Sequence, residues 1–336
     1  MPSRTWADLD AQVQRALEKL QSQTERRILR EYAAALKKIR NDMGKLYEKL
    51  AAPDGTLSLA EMTKYNRFNT LEKQIAGIMK ESNGIVVSEL ARLAPEMYNE
   101  SYFRYAWAFD QKTGVALSWG PVQRDALLAV STNQMDKIAK DTLATLTRNR
   151  IRGSISQGLL QGSSYPQMAR NIRAAMNSNA FEAMRIARTE GQRAQNAGID
   201  DIYTRADDNG IQGPVIWDAT LDSRTRPTTA AQARAGINHR VMDGVEREPD
   251  GLFTLPNGER APYPVAPTLS AGQAINCRCR LRKQVDDYAP ALRRTREGGL
   301  IPYTTYSDWQ EGKVPSPEEF VASLKKMGLE ATLVNT

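Results

Sequence analysis

From Leu29 to Leu50 the apolar residues step by three and four in strict alternation: Leu29, Tyr32, Leu36, Ile39, Met43, Leu46 and Leu50. Such a seven-residue repeat draws one narrow apolar stripe along an α-helix. Val13, Leu17, Leu20, Thr24 and Ile28 continue it upstream in a slightly shifted phase, as a stutter does. The pattern predicts a single helix of about 40 residues that stops at the Pro53-Asp54-Gly55 breaker. A stripe this narrow suits pairing with another helix better than burial in a globular core.

The rest of the first half also reads as helix. Ser58 and Glu61 have capping-box spacing and open a second helix, expected to run to Ser82-Asn83-Gly84. A third is expected from Ile85, carrying Tyr98, Tyr102, Phe103, Tyr105, Trp107 and Phe109 as core and partner contacts. Trp119-Gly120-Pro121 breaks the chain, and helices are expected over 121–160 with a joint at Gly162-Ser163-Ser164. Pro166 fits the first turn of a further helix. Another is expected from Asn179 to Arg205.

Beyond residue 206 the texture changes to short apolar pieces among Pro, Gly, Asn and Thr. Asp207-Asp208-Asn209-Gly210 reads as a turn, Val215-Ile216-Trp217 as a short strand, and Ile275–Leu281 alternates like a strand. The fold class expected is α+β: a mainly helical, elongated N-terminal region and then a small domain of short strands and long loops. The domains expected are 1–136, a helical partner-binding region; 137–285, with its α+β part at 207–285; and 286–336, a tail with Tyr303, Tyr306, Trp309 and a terminal helix.

Charge is informative through its placement. The net charge is +7, but residues 148–206 hold nine Arg, no Lys and four acids. Arginine favours bidentate contact with phosphate or carboxylate. Arg148, Arg150, Arg152, Arg170 and Arg173 are therefore candidates for non-specific contact with double-stranded DNA, with solvated helix faces and internal ion pairs as the alternative. No run approaches the roughly 18 apolar residues of a membrane span. The N-terminal MPSRTWADLDAQVQ has no apolar leader core, so no membrane partner and no secretion are expected.

Four pieces of the second half gain meaning from their order. They are Ala187-Arg188-Thr189-Glu190; Trp217 followed by Asp222, Arg224 and Arg226; His239 followed by Asp243-Gly244; and Asn276-Cys277-Arg278-Cys279. This order resembles the phage head morphogenesis domain, the family of Mu F-like and SPP1-type minor head proteins, over roughly residues 140–285. The resemblance implies a few-copy virion protein inside the head near the portal, present in the host cytoplasm during assembly. Its implied partners are the portal protein, scaffolding or major capsid protein, and packaged DNA. It implies roles in head morphogenesis, packaging or ejection, and no catalysis. The chain departs from the family pattern twice. It has Thr225-Arg226-Pro227-Thr228-Thr229 where relatives carry C-x-x-C, and Ala274-Ile275 where they tend to carry His-Pro.

Both departures remove metal ligands. His239, the only histidine, could still bind zinc with Cys277 and Cys279, the only cysteines, and with Asp222 as a fourth ligand. The reading preferred from sequence is metal-free and without cofactor: the cysteines on a strand, and His239 pinning a loop by a hydrogen bond. The motif residues are expected to hold the small domain together, Arg188 and Glu190 bracing it and the Asp222–Arg226 turn locking against them. An enzyme would be the alternative, a nuclease- or transferase-like effector carried in the head. The nucleotide-loop, nucleophile-elbow and zinc-protease signatures are absent, and about 50 residues after Cys279 leave little room for a toxin domain.

Overall fold

The computed structural model describes residues 5–114, 116–120 and 147–285, with backbone alone for 147–148, 292–294 and 300–302. The helices expected across 121–146, the tail aromatics Tyr303, Tyr306 and Trp309, and the terminal helix lie outside the described residues. The fold is α+β, with long helices leading into short strands. The helices are α1 (Trp6–Leu50), α2 (Leu59–Thr63), α3 (Arg67–Thr113), α4 (Arg152–Leu160), α5 (Tyr165–Asp208), α6 (Ala230–Arg234) and α7 (Ala271–Ala274). The strands are β1 (Val215–Asp218), β2 (Phe253–Thr254), β3 (Arg260–Ala261), β4 (Arg280–Lys283), β5 (Leu292–Arg294) and β6 (Leu300–Pro302). The chain divides into two compact units, one of residues 22–93 and 132–187, the other of 1–21, 94–131 and 188–336.

In the first of these units α1 buries Thr24, Ile28, Tyr32, Ala35, Ile39, Met43 and Tyr47. Leu29 is left 43% exposed, and Leu36 and Leu46 are only half-buried. The apolar seam therefore recurs every eleven residues (28 and 39, 24 and 35, 32 and 43), 3.67 per turn, close to the natural pitch of a straight helix. The seven-residue repeat read from the leucines drifts off this face. The partner is α3, running antiparallel: Tyr32 donates to Asn83 at 3.1 Å, and Arg27 and Lys38 pair with Glu89 and Glu81 at 3.3 and 3.4 Å.

Breaks fall elsewhere than expected. Ser58 does cap α2, accepting from the Glu61 amide at 3.2 Å. The chain then kinks at Tyr65 and Asn66, both with positive φ, and α3 runs on through Ser82-Asn83-Gly84 without interruption. One helical glycine costs only about 1 kcal/mol. Burial of Met79, Val86 and Leu90 on either side outweighs it. Likewise α5 is one helix where two were expected. Pro166 sits in its first turn, and Gly162 takes the left-handed conformation (φ 62°) that stops the preceding helix.

The other unit holds the aromatic core. Tyr98, Tyr102, Phe103, Tyr105, Trp107 and Phe109 of α3 are all buried. Trp6 stacks on Phe109 with centroids 4.8 Å apart, and its indole donates to the Lys283 carbonyl at 2.7 Å. The helices α3 and α5 meet at Gly198, whose hydrogens face the Tyr98 carbonyl and Ser101; a Cβ there would stand 2.5 Å from that carbonyl oxygen. On this helical base lies the antiparallel pair β1–β4, with Trp217 opposite Leu281, and the β2–β3 hairpin turning at Pro256-Asn257-Gly258. The expected strand at 275–281 is displaced: Ile275 and Asn276 form a turn, and the ladder begins at Arg280.

Candidate functional site

The motif residues meet in the strand–loop part of this second unit. Trp217 on β1 is fully buried and stands edge-on to His239 at 5.6 Å and to Phe253 at 5.4 Å. His239 is reached through a loop fixed to Arg226, whose carbonyl accepts from the His239 amide at 3.1 Å. The His239 ring is buried, with Nε2 2.8 Å from Oε1 of buried Gln273 on α7. Since Oε1 only accepts, Nε2 carries the proton and Nδ1 presents a lone pair.

Both cysteine sulfurs face that lone pair. Cys277 Sγ lies 3.4 Å and Cys279 Sγ 3.5 Å from Nδ1, and all three atoms are within 4.8 Å of one another. All three residues are buried, and both thiols are free. The Cys279 amide also points at Cys277 Sγ, at 3.4 Å. Hydrogen bonding from Cys279 holds the Cys277 thiol well below its ordinary value, while the same bond and burial push Cys279 well above. The cysteines sit on the approach to β4 and not on a strand. The turn that aims them places Asn276 at φ 58° and lets its amide donate to Thr189 Oγ1 of α5 at 3.1 Å. A cavity of about 10 Å³, roughly one water, adjoins the group and is lined also by Thr220, Thr225, Arg226 and Asn276.

Asp222 is not part of this group. Its carboxylate takes a two-pronged grip from Arg278, at 2.6 and 2.5 Å, and accepts from the Arg224 amide at 2.9 Å. Arg278 hydrogen bonding holds the Asp222 carboxyl far below the usual carboxylate range. Arg226 donates to the Ile275 carbonyl, and Asp243 accepts from the Ala219 amide at 3.0 Å. Gly244, at φ 76°, closes the turn by donating to the Trp217 carbonyl at 2.9 Å. Glu190 pairs within α5, with Arg193, and burial pushes its carboxyl upward. Arg188 is half-buried on the same helix. The motif residues thus gather around three centres, His239, Asp222 and Glu190, joined by the His239–Arg226 and Asn276–Thr189 hydrogen bonds.

Several residues of the site were not anticipated. Gln273 fixes the histidine. Asn196, fully buried, donates to the Pro264 and Cys279 carbonyls at 2.9 and 3.1 Å and accepts from the Leu281 amide at 3.2 Å. Gln192 donates to the Cys279 carbonyl and Arg193 to that of Val265, at 3.2 and 3.0 Å. Thr189, Gln192, Arg193, Asn196 and Asp200 recur at helical spacing. This polar stripe on α5 was the signal that could have found its own members, and Gln273 on α7 lies outside it.

The DNA candidates lie in the other unit. Arg152 pairs with Glu72 at 2.6 Å, and Arg150 donates to Ser178. Arg170 and Arg173 are exposed on α5, while the side chain of Arg148 is outside the described residues. Among the described residues no helix is long and apolar enough to cross a membrane.

Residues 149–282 match the family described as Phage Mu protein F like protein. The minor head protein GP7 of Bacillus phage SPP1 is 29% identical over 311 residues, covering 89% of this chain and 96% of that protein. An NAD(+)–arginine ADP-ribosyltransferase, EFV, of Enterococcus faecalis is 26% identical over 269 residues, covering 78% of this chain but only 53% of that protein. No solved structure matches the chain.

Proposed function

The chain belongs, through residues 149–282, to the phage head morphogenesis family, and from that premise we propose that it is a minor head protein of a tailed bacteriophage. In this reading it resides inside the head at the portal vertex and serves head morphogenesis, DNA packaging or DNA ejection. The observation that carries the proposal is the extent of the match to the SPP1 minor head protein, which takes in 96% of that protein and 89% of this chain. Helices and strand–loop region therefore correspond together, and not the motif alone. The charge pattern suits the role: Arg170 and Arg173 offer cations toward a polyanion.

The test is composition and binding. Full-length protein should co-purify with portal protein and should be found in purified heads. Absence from heads together with no binding to portal protein would overturn the reading.

A transferase is the second reading, favoured by the relative named as an ADP-ribosyltransferase. This chain spans about half of that protein, so the activity in its name can reside in the part without a counterpart here. The motif geometry also supports a structural role. The cavity beside His239 is about 10 Å³, whereas small-molecule sites run to several hundred. Two of its arginines are engaged, Arg278 by Asp222 and Arg226 by a carbonyl. Transfer of label from NAD⁺ to an arginine-containing acceptor, above a no-protein control, would favour the enzyme.

A further inference from the structure

We propose that Nδ1 of His239 and the sulfurs of Cys277 and Cys279 bind one Zn²⁺ ion, with a water molecule as the fourth ligand. The spacing is that of a metal site. Zinc bonds of about 2.3 Å to sulfur and 2.0–2.1 Å to nitrogen, at tetrahedral angles, put sulfur and nitrogen roughly 3.6 Å apart. The observed separations are 3.4 and 3.5 Å, with all three ligand atoms within 4.8 Å. They arise from two segments nearly 40 residues apart in sequence, so no local turn dictates their convergence.

Independent features point the same way. The Gln273 carbonyl oxygen takes the proton of Nε2 at 2.8 Å, which fixes the tautomer and ring plane that a metal at Nδ1 requires. The Cys279 amide directed at Cys277 Sγ stabilises a thiolate there. Without a metal, two buried thiols compete for one lone pair. With it, two thiolates and Zn²⁺ form a neutral centre, and each ligand atom gains a bond. The adjoining cavity has room for about one water, which completes the tetrahedron. Asp222 is taken by Arg278 and is not the fourth ligand. Two soft sulfurs and an imidazole favour zinc over the hard cations. The site does not depend on the phage reading: it stands on the geometry of this chain alone.

The experiment uses the full-length protein, purified under reducing conditions without chelator. Elemental analysis is expected to give about one zinc per chain. Cys277→Ser, Cys279→Ser and His239→Ala should each lose most of it, while Asp222→Asn should keep it. If the ligand variants fail to fold, the wild-type protein decides. Stripped with chelator and titrated with Co²⁺, it should show sulfur-to-cobalt charge-transfer absorption saturating at one equivalent. A wild-type protein that carries no zinc and develops no such absorption overturns the proposal.

Discussion

Arg193 opposes the burial that disfavours a carboxylate at Glu190. Its side chain is 12% exposed and it also donates to the Val265 carbonyl at 3.0 Å. Burial pushes the Glu190 carboxyl up, and Arg193 opposes that push. Arg193→Met removes the opposing charge and raises Glu190 further. A carboxyl raised in the folded state contributes stability that is whole below its unfolded value and is lost as pH rises through the folded one. The variant should therefore cost about 3–5 kcal/mol at pH 7.5 and clearly less at pH 4.5, measured by urea unfolding at the two pH values. An equal deficit at both would mean that Glu190 is not the cause. Asp222 has the opposite sign. Its carboxyl is held down by Arg278, so its contribution is present at neutral pH and fades only as pH falls through a value below the usual carboxylate range. The pair is partly exposed, with Asp222 and Arg278 side chains 39% and 29% accessible. Asp222→Asn should therefore lower the melting temperature only by a few degrees at pH 7, and the gap should close in strong acid. The grouping of His239 with the cysteines could be weighed from sequence as the zinc alternative, because rare residue types mark themselves in a chain with one histidine, but the preferred reading put the cysteines on a strand. Gln273 was not legible, because a common amide outside any periodic stripe reveals a role only through what it faces.

At the level of elements, the long helices were legible and their boundaries were not. Glycine and asparagine at 82–84 read as a stop, yet a helix held by side-chain burial on both sides runs through them. The real break, at Tyr65 and Asn66, carries no glycine or proline to announce it. Two glycines make the point measurable. Nothing lies within 4 Å of a Cβ added at Gly84, so Gly84→Ala should stabilise the protein by roughly 0.5–1 kcal/mol. Gly198 faces the Tyr98 carbonyl, so Gly198→Ala should destabilise by about 1–3 kcal/mol. Denaturant midpoints of the two variants should move in opposite directions. The seven-residue stripe failed for a related reason. Leucine spacing alone cannot distinguish a 3.5 from a 3.67 period until Ala35 and Tyr47 are counted as core. On α5, exposed Arg170 and Arg173 make the electrostatic prediction concrete. If both contact phosphates, replacing both by Glu should reduce the slope of log affinity against log salt by about 2 in duplex titrations followed by anisotropy. An unchanged slope would assign them to a solvated helix face.

For the whole molecule, the decisive property is where copies of it end up. A protein that acts at the portal vertex has one site per head, set by the portal ring, whereas one that lines the shell has as many sites as there are shell subunits. The match across 96% of the SPP1 minor head protein motivates a head location, and copy number distinguishes the two distributions. Charge separates them only in part, since a net +7 is drawn to packaged DNA wherever the protein sits. Assembly without the portal protein separates them fully. Heads formed with portal should contain this chain in far fewer copies than the major shell protein, and particles formed without portal should lack it, both read by quantitative mass spectrometry of purified particles. DNA is absent from unpackaged procapsids, so incorporation at that stage reports protein contacts alone. Equal incorporation with and without portal would place the binding surface on the shell and remove the portal vertex from the proposed role.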